Sequence, residues 1–573
     1  SSFSTNSTGS DNTAVGHAAL GANTTASNNT AVGRASLQTN TTGTANTAVG
    51  FQSLNANTTA SNNTAIGFCS LKTNTTGTEN TAVGKDSLKL NTSAIQNTAI
   101  GGSSLRDNTT GACNTAVGFN ALVQSTTGSN NNAIGREALF SNTTGGSNTA
   151  IGLCALGTNV SGGANIAIGI CALKANTASN NLAMGHCAMA TNSSGTENTA
   201  IGFQALNKNT TANYNTAVGM RALACNITAA NNTAVGYESL KSNTTGTENV
   251  GIGKDVLKDN TSGAGNVAIG VEALTNNTTA SENVAVGKLA MFTNTTGAAN
   301  TALGYQALRL NVSGASNTAI GLCTLRANTG NNNTAVGRSA LLANTTGAAN
   351  TAIGYLAMCS SAGASNENTA LGYAAGCTIS TGDENVMLGY RAGYNVTTGS
   401  CNIMIGSSAC IDAGGTNNSI SMGYAVTSIN NAVTFGNSTT DSRIAFGATS
   451  ITAPSDMRLK EDIQDDTAGL SFINDLRPVT YKWRQEKDIP SEMRTHVAGS
   501  TKRYNNDKVN HGFIAQEVKE AIDNHPELKN GFDMWQEETT LDGRQRLAEG
   551  ALIPMLVKAI QELKARIEVL ENE

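Results

Sequence analysis

Apolar and polar positions recur along most of this chain with a fixed period. The pentad Asn12-Thr13-Ala14-Val15-Gly16 returns with its glycine at 33, 50, 67, 84 and onward to 423, giving 25 glycines whose steps are 17 residues except for two of 16 and one of 18. The residue before the glycine is always aliphatic or Met, as at Val15, Ile66, Met184, Leu303 and Met422. The fourth residue after it is Leu or Met through the first 21 cycles, as at Leu20, Leu37, Met189 and Met358. Both positions are expected to face the core. The third residue before the glycine is usually Thr but becomes Ile166, Leu182, Val250, Val267 and Val284. It therefore shares a face with the aliphatic, as period-two alternation requires, with Ala almost always between them. Each cycle predicts a short β-strand, a glycine where φ is positive or the backbone approaches closely, a Leu, and a polar Asn-Thr-Thr-Gly corner. Seventeen residues cannot hold two helices, and the β-branched, glycine-rich cycle disfavours helix. The fold class predicted is mostly β, a parallel β-roll or β-solenoid over residues 1–423, on the order of 120 Å long at about 4.8 Å per rung. A coil with about two large apolar residues encloses little, so self-association is expected.

Between residues 424 and 454 the cycle shortens and decays, which predicts a cap or neck in which Phe435 and Phe446 cover the last rung. Pro454 is the first proline of the chain, and the other four, both tryptophans (Trp483 and Trp535) and a dense mixture of charges all follow it. Residues 455–573 are expected to form a separate α+β domain. Leu476 to Trp483 predicts a short strand, and His511 to Val518 a strand that passes into a helix. Ile553, Leu556, Ile560, Leu563, Ile567 and Leu570 are spaced 3, 4, 3, 4, 3. That is a heptad seam within 547–573, too short to associate alone and suited to a domain that already self-associates.

With 4% aromatic and 13% charged residues, the chain is poor material for ordinary globular cores, which favours the repeat reading. A net charge of -5 offers no basic patch for a nucleic acid, and no run of about 18 apolar residues predicts a membrane span. The first residues lack a start methionine and a signal-peptide pattern, as in a processed or truncated chain. Seven residues after the glycine, Asn is followed two positions on by Thr or Ser in 17 of the 25 cycles, including Asn23, Asn40, Asn57, Asn74, Asn91, Asn142, Asn243 and Asn294. These are candidate N-glycosylation acceptors on a secreted filament, or a turn ladder of amides bonded from rung to rung. Regular threonines also suggest ice binding, against which stands their replacement by aliphatics. Five of the 11 cysteines stand two residues after the glycine, at 69, 154, 171, 187 and 323, without C-x-x-C spacing. Small buried spacers or interchain disulfides fit this pattern, whereas a zinc or redox site does not. No metal and no cofactor are expected. Carboxylates are too few in the repeats, and in no recurring pair, for glycoside hydrolysis.

The pattern Asn-Thr-Ala-Val-Gly followed by Ala-Leu resembles the head repeats of trimeric autotransporter adhesins and of phage and viral fibre proteins, although the cycle is longer here. That likeness implies a trimeric rod. After it come Ser455-Asp456-Met457-Arg458-Leu459-Lys460, Leu476-Arg477-Pro478-Val479-Thr480-Tyr481-Lys482-Trp483, His511-Gly512-Phe513-Ile514-Ala515-Gln516-Glu517-Val518 and the terminal heptads. In this order they resemble the C-terminal intramolecular chaperone domain of endosialidase tailspikes, phage tail fibres and the myelin regulatory factor. The resemblance implies a homotrimer whose last domain templates the fibre and then cuts itself away between Pro454 and Ser455, with Ser455 and Lys460 as the catalytic pair. Arg458 would help to lower the lysine pKa. Local sequence alone also allows Ser455 to N-cap a helix holding Arg458 and Lys460, with Asp456 in its first turn. His511 is the rival base, kept as a structural residue. The implied protein is a virion tail fibre or other extracellular appendage with a cell-surface receptor or polysaccharide as its outside partner. A polysaccharide-degrading tailspike is the rival class.

Overall fold

A computed structural model describes residues 3–448, 457, 460–493, 495–528, 532–537 and 545–572. Contacts divide the chain into two units, Ser1–Pro454 and Ser455–Glu573. The first is a β-solenoid. Its three-residue strands run from β1 (Thr13–Val15) to β24 (Ile403–Ile405), each parallel to the next and in register, as in Thr30↔Thr47, Ala31↔Ala48 and Val32↔Val49. β25 (Cys410–Ile411) and β27 (Thr427–Ser428) form a second short ladder, while β26 (Ile420–Tyr424) is the twenty-fifth rung. β28 (Ala432–Asn437) continues the stack in parallel and β29 (Asp441–Ala445) folds back on it antiparallel. The period-17 reading of a mostly β solenoid therefore holds, rung for glycine.

The assignment of faces does not. Leu20, Leu37 and their equivalents are fully buried as expected, but in each strand it is the alanine that points inward (Ala31, Ala48 and Ala65 are all 0% exposed) while Val15, Ile66, Ile252 and Leu303 lie on the outer face. The cause is room. Two rows of buried asparagines and one of leucines already fill the coil, so only a methyl group fits at the strand centre. The larger aliphatics form a continuous apolar stripe along the outside of the single chain. The repeat glycines answer to both reasons expected of them: Gly50 has φ +136°, and a Cβ there would stand 2.3 Å from the carbonyl oxygen of Gly67.

The eight candidate glycosylation acceptors are inside the coil, which corrects that reading. Asn23, Asn40, Asn57, Asn74, Asn91, Asn142, Asn243 and Asn294 are all 0% exposed. Asn57 Nδ2 donates to Asn40 Oδ1 of the preceding rung (2.8 Å) and to the Ala60 carbonyl (2.9 Å), so the nitrogen that would carry a glycan is used and enclosed. A second buried row stands four residues before the glycine. There Asn46 accepts through Oδ1 from both the backbone (3.0 Å) and the side chain (3.3 Å) of Asn63. The amide ladder is the reading that fits.

Irregular cycles are absorbed between these two rows. The corner from Asn176 to Asn181 and that from Asn328 to Asn333 are each one residue shorter than Asn23 to Asn29, yet Ile166↔Leu182 and Thr318↔Thr334 stay in register. Where the Leu row ends, the core is refilled from the strand. Gly376 and Gly393 replace Leu while Met387 and Met404 replace the strand alanine, and a Cβ on Gly376 would meet Met387 Sδ at 2.6 Å. Phe435 and Phe446 do not cover the last rung. They are 40% and 45% exposed, and Phe435 pairs with Met422 to extend the outer stripe, because the β28–β29 hairpin already closes the stack. All 11 cysteines are free. Cys154, Cys171 and Cys187 occupy successive corners at φ 55°, half-buried, and burial pushes the thiols of Cys154 and Cys187 up.

Candidate functional site

The second unit is built around Phe472, fully buried on α1 (Leu470–Asp475), with Val518 and Ile522 of α2 (Ala515–Asp523), Met534, and Leu552 and Met555 of α3 (Leu552–Glu571). Two hairpin-like pairs complete it: β30 (Val479–Tyr481) with β31 (Asn510–Gly512), and β32 (Trp535–Glu537) with β33 (Gln545–Leu547), both antiparallel. α1 is short and lacks a side-chain cap of its own. Glu562 of α3 supplies one, its Oε2 accepting from the Leu470 backbone N–H at 2.9 Å, which suits a carboxylate at a helix start.

The structure brings the sequence motifs together. Val479 pairs with Gly512 and Tyr481 with Asn510, so the Arg-Pro-Val and His-Gly-Phe stretches lie side by side. Arg477 forms a bidentate ion pair with Glu517, whose hydrogen bonds hold the glutamate carboxyl below its usual range. Tyr481 and Tyr504 each pack edge-on against Trp483, with ring centroids 5.3 and 5.2 Å away, beside an open cleft of about 680 Å³. His525, which the sequence did not single out, ties α1 to the end of α2: Nε2 meets Asp475 Oδ2 at 2.9 Å and Nδ1 meets Glu527 Oε1 at 3.0 Å. Burial pulls its pKa down, but the bonds to both carboxylates outweigh burial and raise it.

Of the proposed catalytic pair, only Lys460 is described. It is exposed, and its backbone N–H donates to the Met457 carbonyl at 3.1 Å. Ser455, Pro454, Asp456 and Arg458, and with them the bond to be cut and any cap formed by the serine, lie outside the described residues. His511 is exposed on β31 and lines an open groove of about 500 Å³ with Thr480, Phe513 and Glu549. Along α3 the residues after Glu562 leave the body, and the seam residues Ile560, Ile567 and Leu570 are 64%, 51% and 71% exposed. Among the described residues no cluster of His, Cys, Asp and Glu could hold a metal, and no helix is long and apolar enough to cross a membrane.

Residues 455–526 match a peptidase family described as chaperone of endosialidase. Over these residues the C-terminal unit is similar to the endosialidase-type chaperone domain. No curated protein and no solved structure gives a match to the chain. The match to the chaperone domain begins at Ser455, the residue at which the second compact unit also begins. A long β-solenoid joined to this chaperone domain fits a tail-fibre-like structural protein.

Proposed function

We propose that the chain is the protomer of a homotrimeric extracellular fibre, of the kind carried on a virion, and that its chaperone domain directs trimer assembly and then detaches by cutting Pro454–Ser455. The observation that carries this reading is the coincidence of the family match and the compact unit at Ser455, which makes the last unit separable at that residue. Two unpartnered apolar surfaces support association: the outer aliphatic stripe of the solenoid and the exposed seam of α3. Both need partners, and copies of this chain supply complementary ones.

In the cut, the Ser455 hydroxyl attacks the Pro454 carbonyl carbon while the Lys460 amine takes its proton and passes it to the Ser455 nitrogen as the Pro454–Ser455 C–N bond breaks. Water then hydrolyses the ester to free the Pro454 carboxylate and the Ser455 hydroxyl. An amine acts as base near neutral pH only when it loses water or gains cationic neighbours. Lys460 is exposed in the single chain. Cleavage is therefore expected to follow assembly, when neighbouring copies enclose the lysine. The released shaft then spaces or binds at a cell surface, with a receptor or polysaccharide as its outside partner.

Light scattering and intact-mass measurement on the full chain test this. A particle of three times 58.4 kDa should form first and lose a fragment beginning at Ser455, while Ser455→Ala and Lys460→Ala should trimerise and stay whole. A stable folded monomer at micromolar concentration would overturn the trimer. Wild-type protein that trimerises yet stays uncut for days would remove the peptidase role and leave the chaperone role.

A further inference from the structure

The strand face of the shaft has two edges, and each carries charge of one sign only. The residue after the repeat glycine lines one edge, and the residue five before it lines the other, at a corner of positive φ. Over the 25 cycles no Asp or Glu follows the glycine directly and no Lys or Arg stands five before it. Signs are also matched within cycles. Each lysine on the first edge shares its cycle with a glutamate on the second: Lys85 with Glu79, Lys254 with Glu248, Lys288 with Glu282. The three arginines on that edge, Arg34, Arg136 and Arg338, each share theirs with an asparagine.

All six members of the Lys–Glu pairs are exposed, and among the described residues no ion pair joins Lys85 to Glu79, Lys254 to Glu248 or Lys288 to Glu282; Lys254 instead reaches its neighbour Asp255 at 3.6 Å, and Glu79 accepts from Gln96 Nε2 at 3.0 Å. The strand lies between them. Elsewhere the chain closes its charge pairs internally, as in Lys89–Asp86 at 3.1 Å, Lys241–Glu238 at 3.0 Å and Lys258–Asp255 at 3.2 Å. Across the strand face it does not, and the surface between the two edges is the outer apolar stripe.

We propose that the two edges are halves of one interface between copies of this chain, the lysine edge of each copy meeting the glutamate edge of the next at the same rung. The inference rests on the trimer reading above and adds to it the register of the copies. Three faces turned toward a common axis bring each one's leading edge against its neighbour's trailing edge, and a closed rotation involves no shift along the axis. Residues of one cycle therefore meet at one height. A slip of one rung would set Lys254 against Asn231 or Gly265, Lys85 against Asn62 or Gln96, and Lys288 against Gly265 or Ala299, with no acid opposite any lysine. The apolar stripe is nearly the same at every rung and cannot resist such a slip. Charges at its rim set alignment more than affinity.

The test is carbodiimide cross-linking, which joins a carboxylate to an amine in direct contact, on full-length protein assembled from mixed ordinary and nitrogen-15-labelled chains. Same-cycle Glu–Lys links of mixed isotope, Glu248–Lys254 above all, are expected in the trimer fraction. Links that join different cycles, links confined to one isotope, or trimers without these links would overturn the proposed register while leaving the trimer intact. Absence of any trimer in the same preparation, seen by light scattering, would instead overturn the reading on which the register rests.

Discussion

An asparagine in this shaft is defined by its nitrogen. Asn57 gives two hydrogen bonds through Nδ2 and receives one on Oδ1 from Asn74 Nδ2 at 3.1 Å, all in a site with 0% exposure. Replacing it with alanine removes the donor to Asn40 Oδ1 and one of two bonds each from the Ala60 carbonyl, which keeps Asn46 Nδ2, and from Asn74 Nδ2, which keeps the Gly77 carbonyl, all in a dry interior. Asn57→Ala is therefore expected to cost about 2 kcal/mol, read as faster amide hydrogen exchange in the rungs around it, while the equally polar but exposed Thr245 should tolerate alanine with little change. The same letters, Asn-x-Thr, describe an acceptor for glycan and a buried ladder. Sequence spacing gave the row but not the direction in which it points, because the direction depends on how much of the coil the leucines occupy.

Strands three residues long offer little pattern from which to choose an inside. Thr-Ala-Val has one small and two larger residues, and the ordinary rule that large aliphatics are buried favours the wrong face, since the coil has space at that position for one methyl group only. The helices were easier to read, for α2 and α3 carry enough turns for period and motif to agree. The loss of the Leu row after the twenty-first cycle also had a cause in plain view, the paired change of Leu to Gly and Ala to Met at Gly376 and Met387. This exchange predicts coupling. Gly376→Leu alone should destabilise the end of the shaft by about 3 kcal/mol through overpacking, and Gly376→Leu with Met387→Ala should lie nearer the wild type than either single change. Thermal unfolding of the three variants measures it, and additive losses would show that the two sites do not share space.

The molecule as a whole joins a long uniform part to a small irregular one, and a probe can watch the second alone because both tryptophans lie there. His525 has its pKa raised above the ordinary 6.5 by Asp475 and Glu527 against the pull of burial. The stability it lends is complete below the unfolded value and disappears as pH rises through the folded one. Urea unfolding followed by tryptophan fluorescence should thus give a lower midpoint at about pH 9 than at about pH 6, and His525→Gln should lessen the difference. Equal midpoints in the wild type would rule the histidine out as a pH-dependent tie. That tie was unreadable in sequence, since residues 475 and 525 meet only when α1 and α2 pack. The order of the motifs around it, by contrast, was enough to place the domain.

The corner between the two amide rows admits a residue more or less without disturbing the strands on either side. A cycle also presents to the one above it nearly what it presents to the one below. Recombination within the gene that adds or drops whole cycles should therefore leave a rod that still folds, with its cap and its C-terminal unit unchanged. The reach of the fibre then becomes a heritable length, adjusted in steps of about 4.8 Å by counting repeats and open to selection without any new surface having to be invented.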